Sequence, residues 1–134
     1  MMRYMLDTDI CIYIMKKKPV QIIQKFRMMD VADIGISSVT LSELEYGVEK
    51  SENRERNRFA LTHFLAPLQI VSYDVRAAQK YGFIRSHLEK QGQPIGPLDT
   101  LIAAHALSLD CIFVTNNASE FKRVPNLTVE NWMA

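Results

Sequence analysis

Two aspartates lie one residue apart inside the first apolar segment of the chain. Asp7 and Asp9 belong to the stretch YMLDTDICIYIM, residues 4–15, in which nearly every other side chain is apolar. A carboxylate buried without a partner is costly enough that it usually takes up a proton. Asp7 follows the buried-strand residues YML directly, so its position indicates a functional site better than that of any other acid in the chain.

Further acidic and amide side chains stand where predicted strands meet predicted helices. Glu43 follows the predicted strand DIGIS, Asp99 opens the helix before CIFVT, and that strand is followed by Asn116, Asn117 and Glu120. In a parallel sheet such junctions meet at one edge, where ligands bind. Several carboxylates close together need either protons or a cation at neutral pH. Mg²⁺ suits oxygen ligands and keeps several waters, which supply a nucleophile for attack on a phosphoryl group.

Each acid also has a purely structural interpretation. Glu43 with Thr40 fits a capping box, and for Glu43 alone this or plain exposure is the commoner role. Asp99 suits the positive end of a helix dipole, Asp9 could be a helix N-cap, and Glu120 could be a surface residue. These roles do not exclude a metal site, because a helix start stabilises the ionised carboxylate that a metal requires.

The segments that must position these residues alternate between strand and helix. Strands are predicted at RYML, DIGIS, LQIVSY, CIFVT and LTVEN, with helical segments between most of them. Asp74 is predicted to cap a helix that Gly92 closes. The alternation predicts an α/β fold with a parallel sheet covered by helices. A chain of 134 residues without repeats or linkers predicts one domain.

The overall charge does not by itself indicate a nucleic-acid partner. A net charge of +1 provides no general attraction for nucleic acid, so RNA would require a local basic patch. The candidates are Lys16, Lys17 and Lys18, the set Arg54, Arg56 and Arg58, and Arg85, for each of which a solvated helix face is the alternative.

The remaining reactive side chains suggest no second site. Cys11 and Cys111 have no metal-type spacing and are expected to be reduced core residues. His63, His87 and His105 share no spacing and are assigned structural roles. No signal peptide or membrane-spanning segment is recognisable, which predicts a cytoplasmic protein with no membrane partner.

Four stretches together resemble the motifs of the PIN-domain ribonucleases, and specifically of the VapC toxins of bacterial toxin–antitoxin pairs. They are MLDTDICIYI, ISSVTLSELEYG, QGQPIGPLDTLIAAHAL and VTNNASEF, in the family order and spread over nearly the whole chain. The resemblance implies that residues 1–134 form a single PIN-like ribonuclease domain. Its α/β fold would have a central, mostly parallel sheet of four to five strands flanked by helices.

The resemblance also implies a catalytic site. It places the family's acids on Asp7, Glu43 and Asp99, with Mg²⁺ or Mn²⁺ held by Asp7 and Asp99 and an attacking water bound or oriented by Glu43. The fourth family position is Asn117 here, a departure that would weaken a second metal, and Glu120 is expected to compensate. Asn117, Glu120 and Glu43 are thus tentative or water-mediated ligands.

Two further residues would support this site. Thr115 could hydrogen-bond a metal-bound water or a phosphate. Asp9 is often Asn in the family, which implies a supporting role as a helix cap or outer acid.

The family also implies partners. The substrate would be RNA, with initiator tRNA cut in its anticodon loop as in the close toxins, and the products would carry a 5′-phosphate and a 3′-hydroxyl. A VapB-type antitoxin would block the acidic groove with its C-terminal segment, and the toxin would form a homodimer.

Three alternatives remain open from the sequence. A haloacid-dehalogenase-type phosphatase would use Asp7 as nucleophile and Asp9 as general acid, but the chain lacks the usual Gly-Thr after the second aspartate. A phospho-receiver domain would need a lysine where Asn116 and Asn117 stand. A non-catalytic module could bind a partner through the acidic groove, because Asn117 weakens the acid set.

Overall fold

A five-stranded parallel sheet runs through the protein, and the computed structural model describes residues 2–133. The strand order is β3-β2-β1-β4-β5, and all four neighbouring pairs are parallel. The strands are β1 Tyr4–Leu6, β2 Ile34–Ser37, β3 Gln69–Val71, β4 Ile112–Val114 and β5 Thr128–Glu130. The predicted α/β fold with a parallel sheet is confirmed.

Helices connect the strands and cover both faces of the sheet. They are α1 Thr8–Lys16, α2 Val20–Met28, α3 Ser38–Lys50, α4 Arg54–Leu65, α5 Val75–Lys90, α6 Pro97–Leu109 and α7 Ala118–Phe121. The sequence analysis missed α2, which buries Ile22 and Ile23. The helix that the sequence predicts over TDICIYIMKKK, residues 8–18, ends earlier, at Lys16, because Lys17 has a left-handed φ of 60°.

The sheet separates two apolar cores. Side chains of a strand alternate between faces, so Tyr4 and Leu6 of β1 enter one core while Met5 enters the other. The first core is completed mainly by α1, α2, α3 and α4, and the second mainly by α5 and α6. Within residues 2–133, no helix is long and apolar enough to cross a membrane.

Helix starts differ from two of the sequence interpretations. The N-cap of α3 is Ser37, whose hydroxyl oxygen accepts a hydrogen bond from the Val39 amide at 3.0 Å. The proposed capping box of Thr40 and Glu43 is therefore wrong: Thr40 is buried, and Glu43 lies in the second turn. Helix α3 starts earlier than a capping box at Thr40 would place it, because Ser37, the last residue of β2, itself supplies the capping oxygen.

The N-cap of α1 is Asp7 rather than Asp9. Asp9 lies in the first turn of that helix, so its interpretation as the cap is wrong. The predicted cap of α5 is confirmed, since Asp74 accepts from the Ala77 amide at 3.0 Å. Gly92, just beyond α5, has the positive φ of 67° expected of a closing glycine.

Candidate active site

Asp7 is fixed where the two central strands end. Its backbone amide donates to the carbonyl of Val114 at 2.8 Å, which continues the pairing of β1 with β4. Its carboxylate accepts from the Thr8 amide and from the Thr115 hydroxyl, both at 2.8 Å. The residue is only 7% exposed. Successive strands are laid to one side of β1 and then to the other, so Asp7 stands at a point where ligands bind in open α/β sheets.

Thr8 links the first acid to the acid of α3. Its hydroxyl donates to Oε1 of Glu43 at 2.7 Å, while its amide donates to Asp7. Glu43 therefore points toward the end of β1 although 35 residues separate it from Thr8. Thr8 was not predicted as a site residue. The sequence indicates it only through the position of its hydroxyl between Asp7 and Asp9.

Asp9 connects α1 to the loop after β4. Its Oδ2 accepts from the Asn116 amide at 3.3 Å, whereas its Oδ1 is buried without a hydrogen-bond partner. Burial raises the pKa of Asp9. Asp9 thus places a second partly buried acid beside Asp7.

Asp99 and Glu120 form the other side of the site. Asp99 lies in the first turn of α6, and Glu120 lies in α7. Asn117 donates its side-chain amide to Glu120 Oε2 at 2.5 Å and its backbone amide to Thr115 at 3.0 Å. Asn117 therefore orients Glu120, the acid expected to compensate for it.

The pKa values show that these acids share one electrostatic environment. Burial raises the pKa of Asp7 to about 7, and the charge of Asp9 is the next cause. Burial likewise raises the pKa of Asp99 to about 6, followed by the charge of Glu120, with smaller contributions from Glu43 and Asp9. Among the described residues, no lysine or arginine forms an ion pair with any of these five acids.

The acid cluster fits a hard divalent cation. All of its donors are oxygens, and none of its carboxylates has an ion pair with another described residue. Within residues 2–133, no three His, Cys, Asp or Glu side chains are close enough to form a compact cage. An open set of carboxylates suits Mg²⁺, which typically binds through one or two of them and keeps several waters.

Most of the predicted arginine candidates are already neutralised. Arg58 makes a two-pronged contact with Glu45, at 2.9 and 2.6 Å. Arg54 lies 3.7 Å from Glu49, and Arg85 lies 3.1 Å from its neighbour Glu89. These arginines are poor candidates for gripping phosphates.

The other basic residues that the sequence suggested as RNA contacts line one groove beside the acids. The groove has a volume of about 1030 Å³ and lies between α1, α3 and α4. Its basic wall is Lys16, Lys17, Lys18 and Arg56, none of which has an ion pair within the part of the chain that the structure describes. Glu43 also lines it, so the groove leads to the acidic site.

Comparisons with known proteins identify the family of this chain. The family model described as PIN domain matches residues 4–127. The chain is 46% identical to a tRNA(fMet)-specific endonuclease VapC of Shigella flexneri, over 98% of this chain and 99% of that relative. It is 45% identical to ribonuclease VapC2 of Haemophilus influenzae strain KW20, over 99% of this chain and all of that relative.

A solved structure shows the same fold. The DNA-bound VapBC structure from Salmonella typhimurium contains a chain that superposes with a TM-score of 0.92 at 43% identity, covering 98% of this chain and 99% of that one. The haloacid-dehalogenase and phospho-receiver alternatives are excluded by these matches. PIN nucleases generally use divalent metal ions, in agreement with the oxygen-lined site. The chain therefore belongs to the PIN-domain family and, within it, to the VapC ribonucleases.

Proposed function

We propose that this chain is a Mg²⁺-dependent endoribonuclease toxin that cuts tRNA in the cytoplasm and is inhibited by a VapB-type antitoxin. The observation that carries the proposal is the cluster of like-charged acids at the carboxyl edge of the sheet. Burial raises the pKa of Asp7, Asp9 and Asp99, and among the described residues no lysine or arginine forms an ion pair with the cluster. Such a cluster is electrostatically unfavourable unless a cation binds to it, either alone or together with a substrate phosphate.

Asp7 and Asp99 are the proposed metal-holding residues, with Mg²⁺ as the ordinary ion and Mn²⁺ as a substitute. Asp7 is the better fixed of the two, because Thr8 and Thr115 hold both of its oxygens. Glu120, oriented by Asn117, is the proposed additional carboxylate, and the Asn117 oxygen adds no negative charge. When bound, the cation neutralises charge on the phosphoryl group and makes water a better nucleophile.

Glu43 is proposed to orient the attacking water. Its Oε1 is occupied by the Thr8 hydroxyl, which leaves Oε2 to accept from a water beside Asp7. Thr115 and Asp9 are supporting residues in this scheme: Thr115 fixes the Asp7 carboxylate, and Asp9 holds the loop that carries Asn116. The products would carry a 5′-phosphate and a 3′-hydroxyl.

Initiator tRNA, cut in its anticodon loop, is the proposed substrate. Two relatives that are 46% and 43% identical are named tRNA(fMet)-specific endonucleases. A loop of single-stranded nucleotides can lie along the groove lined by Lys16, Lys17 and Lys18 and reach the acids at Glu43.

The same groove is the proposed site of the antitoxin segment. Its lining includes the apolar side chains of Met15, Val48 and Leu61 and more basic than acidic side chains, four lysines or arginines against two glutamates. An amphipathic peptide with acidic side chains matches both properties. VapBC structures from Rickettsia felis and Salmonella typhimurium were solved bound to DNA. We also propose that the toxin is a homodimer, as its resemblance to VapC toxins implies.

The decisive experiment is cleavage of purified tRNAs. We expect initiator tRNA to be cut once in the anticodon loop with Mg²⁺ or Mn²⁺, and elongator tRNAs to stay intact. EDTA or an equimolar antitoxin should stop the reaction, and sedimentation would report the dimer. Binding of RNA without cleavage under any metal condition would favour the non-catalytic alternative, and cleavage unaffected by EDTA would contradict the metal site.

A further inference from the structure

His105 is a buried histidine outside the acid cluster. It lies in α6, is 1% exposed, and its Nδ1 is 2.7 Å from the hydroxyl oxygen of Ser37, which is fully buried. Burial lowers the pKa of His105, so the ring is neutral at pH 7 and the contact is a hydrogen bond between neutral groups.

This contact joins the two helices that carry the site acids. Ser37 ends β2 and caps α3, which bears Glu43 six residues later. His105 lies six residues after Asp99 in α6. Six helical residues span about 9 Å along the helix axis. The hydrogen bond therefore joins α3 to α6 at a point about 9 Å along each helix from the acid that the helix carries.

The rest of the imidazole has no polar partner. Its Nε2 is buried without a hydrogen bond, and the ring meets the Tyr73 ring edge-on, with centroids 5.6 Å apart at 76°. An unpaired polar atom in a core is unfavourable, and an apolar side chain of similar size would avoid it. The single bond to Ser37 is therefore the feature that the imidazole provides and a leucine would not.

We propose that the hydrogen bond between His105 and Ser37 is a positioning contact that sets the distance between Glu43 and Asp99. Through that distance it sets the affinity of the acidic site for a divalent cation. The inference rests on the proposed function, because it assumes that these two acids act on one metal-dependent reaction.

Asparagine and leucine make a matched pair of substitutions at this position. Both side chains branch at Cγ, so their terminal atoms occupy the same place as Nδ1 of histidine, polar in one case and apolar in the other. Both leave a similar space where the rest of the ring was. His105→Asn can keep a hydrogen bond to Ser37 and His105→Leu cannot, whereas the loss of packing is the same.

The measurement is Mn²⁺ binding by electron paramagnetic resonance, with RNA cleavage and thermal unfolding recorded on the same samples. We expect His105→Leu to weaken Mn²⁺ binding and to lower kcat by about tenfold, the range found for outer partners of metal ligands. KM for RNA should not change. His105→Asn should lose much less than His105→Leu, because it keeps a hydrogen bond to Ser37 and has the same number of polar side-chain atoms as histidine.

The pair Ser37→Thr and Ser37→Ala repeats the test from the other side if a His105 variant unfolds. Ser37→Thr keeps the hydroxyl and should bind Mn²⁺ normally, whereas Ser37→Ala should lose at least as much affinity as His105→Leu, because it also removes the N-cap of α3. Equal Mn²⁺ affinity in the Asn and Leu variants would overturn the positioning role. So would metal binding that simply follows the melting temperature across all four variants.

Asp99→Asn separates this inference from the proposed function. Weaker Mn²⁺ binding and lost cleavage in that variant, with no effect of His105→Leu, would refute only the positioning contact. Unchanged Mn²⁺ binding and cleavage in Asp99→Asn would defeat the proposed metal site, and the inference with it.

Discussion

Two acids on α3, only two residues apart, occupy opposite electrostatic surroundings. Glu45 faces α4, where its hydrogen bonds with Arg58 lower its pKa. Glu43 points to the other side, toward Thr8 and the end of β1, where burial and neighbouring acids raise the pKa of Asp7 and Asp99. Successive helical positions point in different directions, so one helix serves both regions. Glu45 is thus paired with a cation of the protein, whereas the acids of the cluster are not paired within the described residues. This is the arrangement expected of a site that binds a cation.

Substituting one acid in each region should give opposite results. Asp7→Asn should reduce RNA cleavage by about 10³-fold or more, because a metal ligand accounts for several kcal/mol of transition-state stabilisation. It should also stabilise the metal-free protein, since it removes a buried charge. The measurements are single-turnover cleavage and urea unfolding in EDTA.

Glu45→Gln is the matched control. It should leave cleavage unchanged and lower the melting temperature by no more than a few degrees, because an exposed ion pair contributes little. Full activity of Asp7→Asn with the metal requirement intact would contradict the assignment of that acid.

The metal-free protein should lose stability as pH rises. The pKa of Asp7 increases from 3.8 to about 7 on folding, so the folded state binds more protons than the unfolded state between these values. The free energy of unfolding then falls by up to about 4 kcal/mol from pH 4 to pH 7. Mg²⁺ should reverse most of this loss at the upper end of the range.

Urea unfolding from pH 4 to pH 8, with EDTA or with Mg²⁺, measures this dependence. Asp7→Asn should flatten the EDTA curve. A stability that rises with pH in EDTA would show that Asp7 is not held as an unfavourable charge.

The Thr8 hydroxyl should be worth about ten- to a hundredfold in cleavage. Thr8→Val keeps the shape of the side chain but releases Glu43, so kcat should fall within the range typical of groups that orient site ligands. Thr8→Ser keeps the donor and should retain activity, which is followed by multiple-turnover kinetics. Equal losses in the two variants would indicate a packing role instead.

Unpaired and paired cations should differ in RNA binding. Replacing Lys16, Lys17 and Lys18 by Gln should reduce the salt dependence of binding by about 0.7 in log–log slope for each RNA phosphate that these lysines neutralise. Arg58→Gln, which removes a cation already held by Glu45, should leave the slope unchanged. Filter binding from low to moderate salt, with inactive Asp7→Asn protein, makes the comparison.

The fold class could be predicted from the sequence because strand and helix patterns alternate strongly and Asp74 and Gly92 mark the ends of a helix. The N-caps of α1 and α3 were predicted wrongly, because Asp7 and Ser37, at the ends of β1 and β2, supply the capping oxygens. The role of Asp7 at the strand end follows from apolar residues directly before an acid. Thr8, Ser37 and His105 could not be predicted, because their partners lie far along the chain and only the folded structure defines them.

The pairing of β1 with β4 also determines when activity can arise during synthesis. Thr115 meets Asp7 across 108 residues of chain, and Asp99 and Glu120 come from the same late portion. A nascent chain that has emerged only as far as α4 carries Asp7 and Glu43 but lacks β4 and Thr115, which fix Asp7. A contact of such long sequence separation cannot form before both of its segments have been made. The full set of acids therefore cannot come together until most of the chain has been translated.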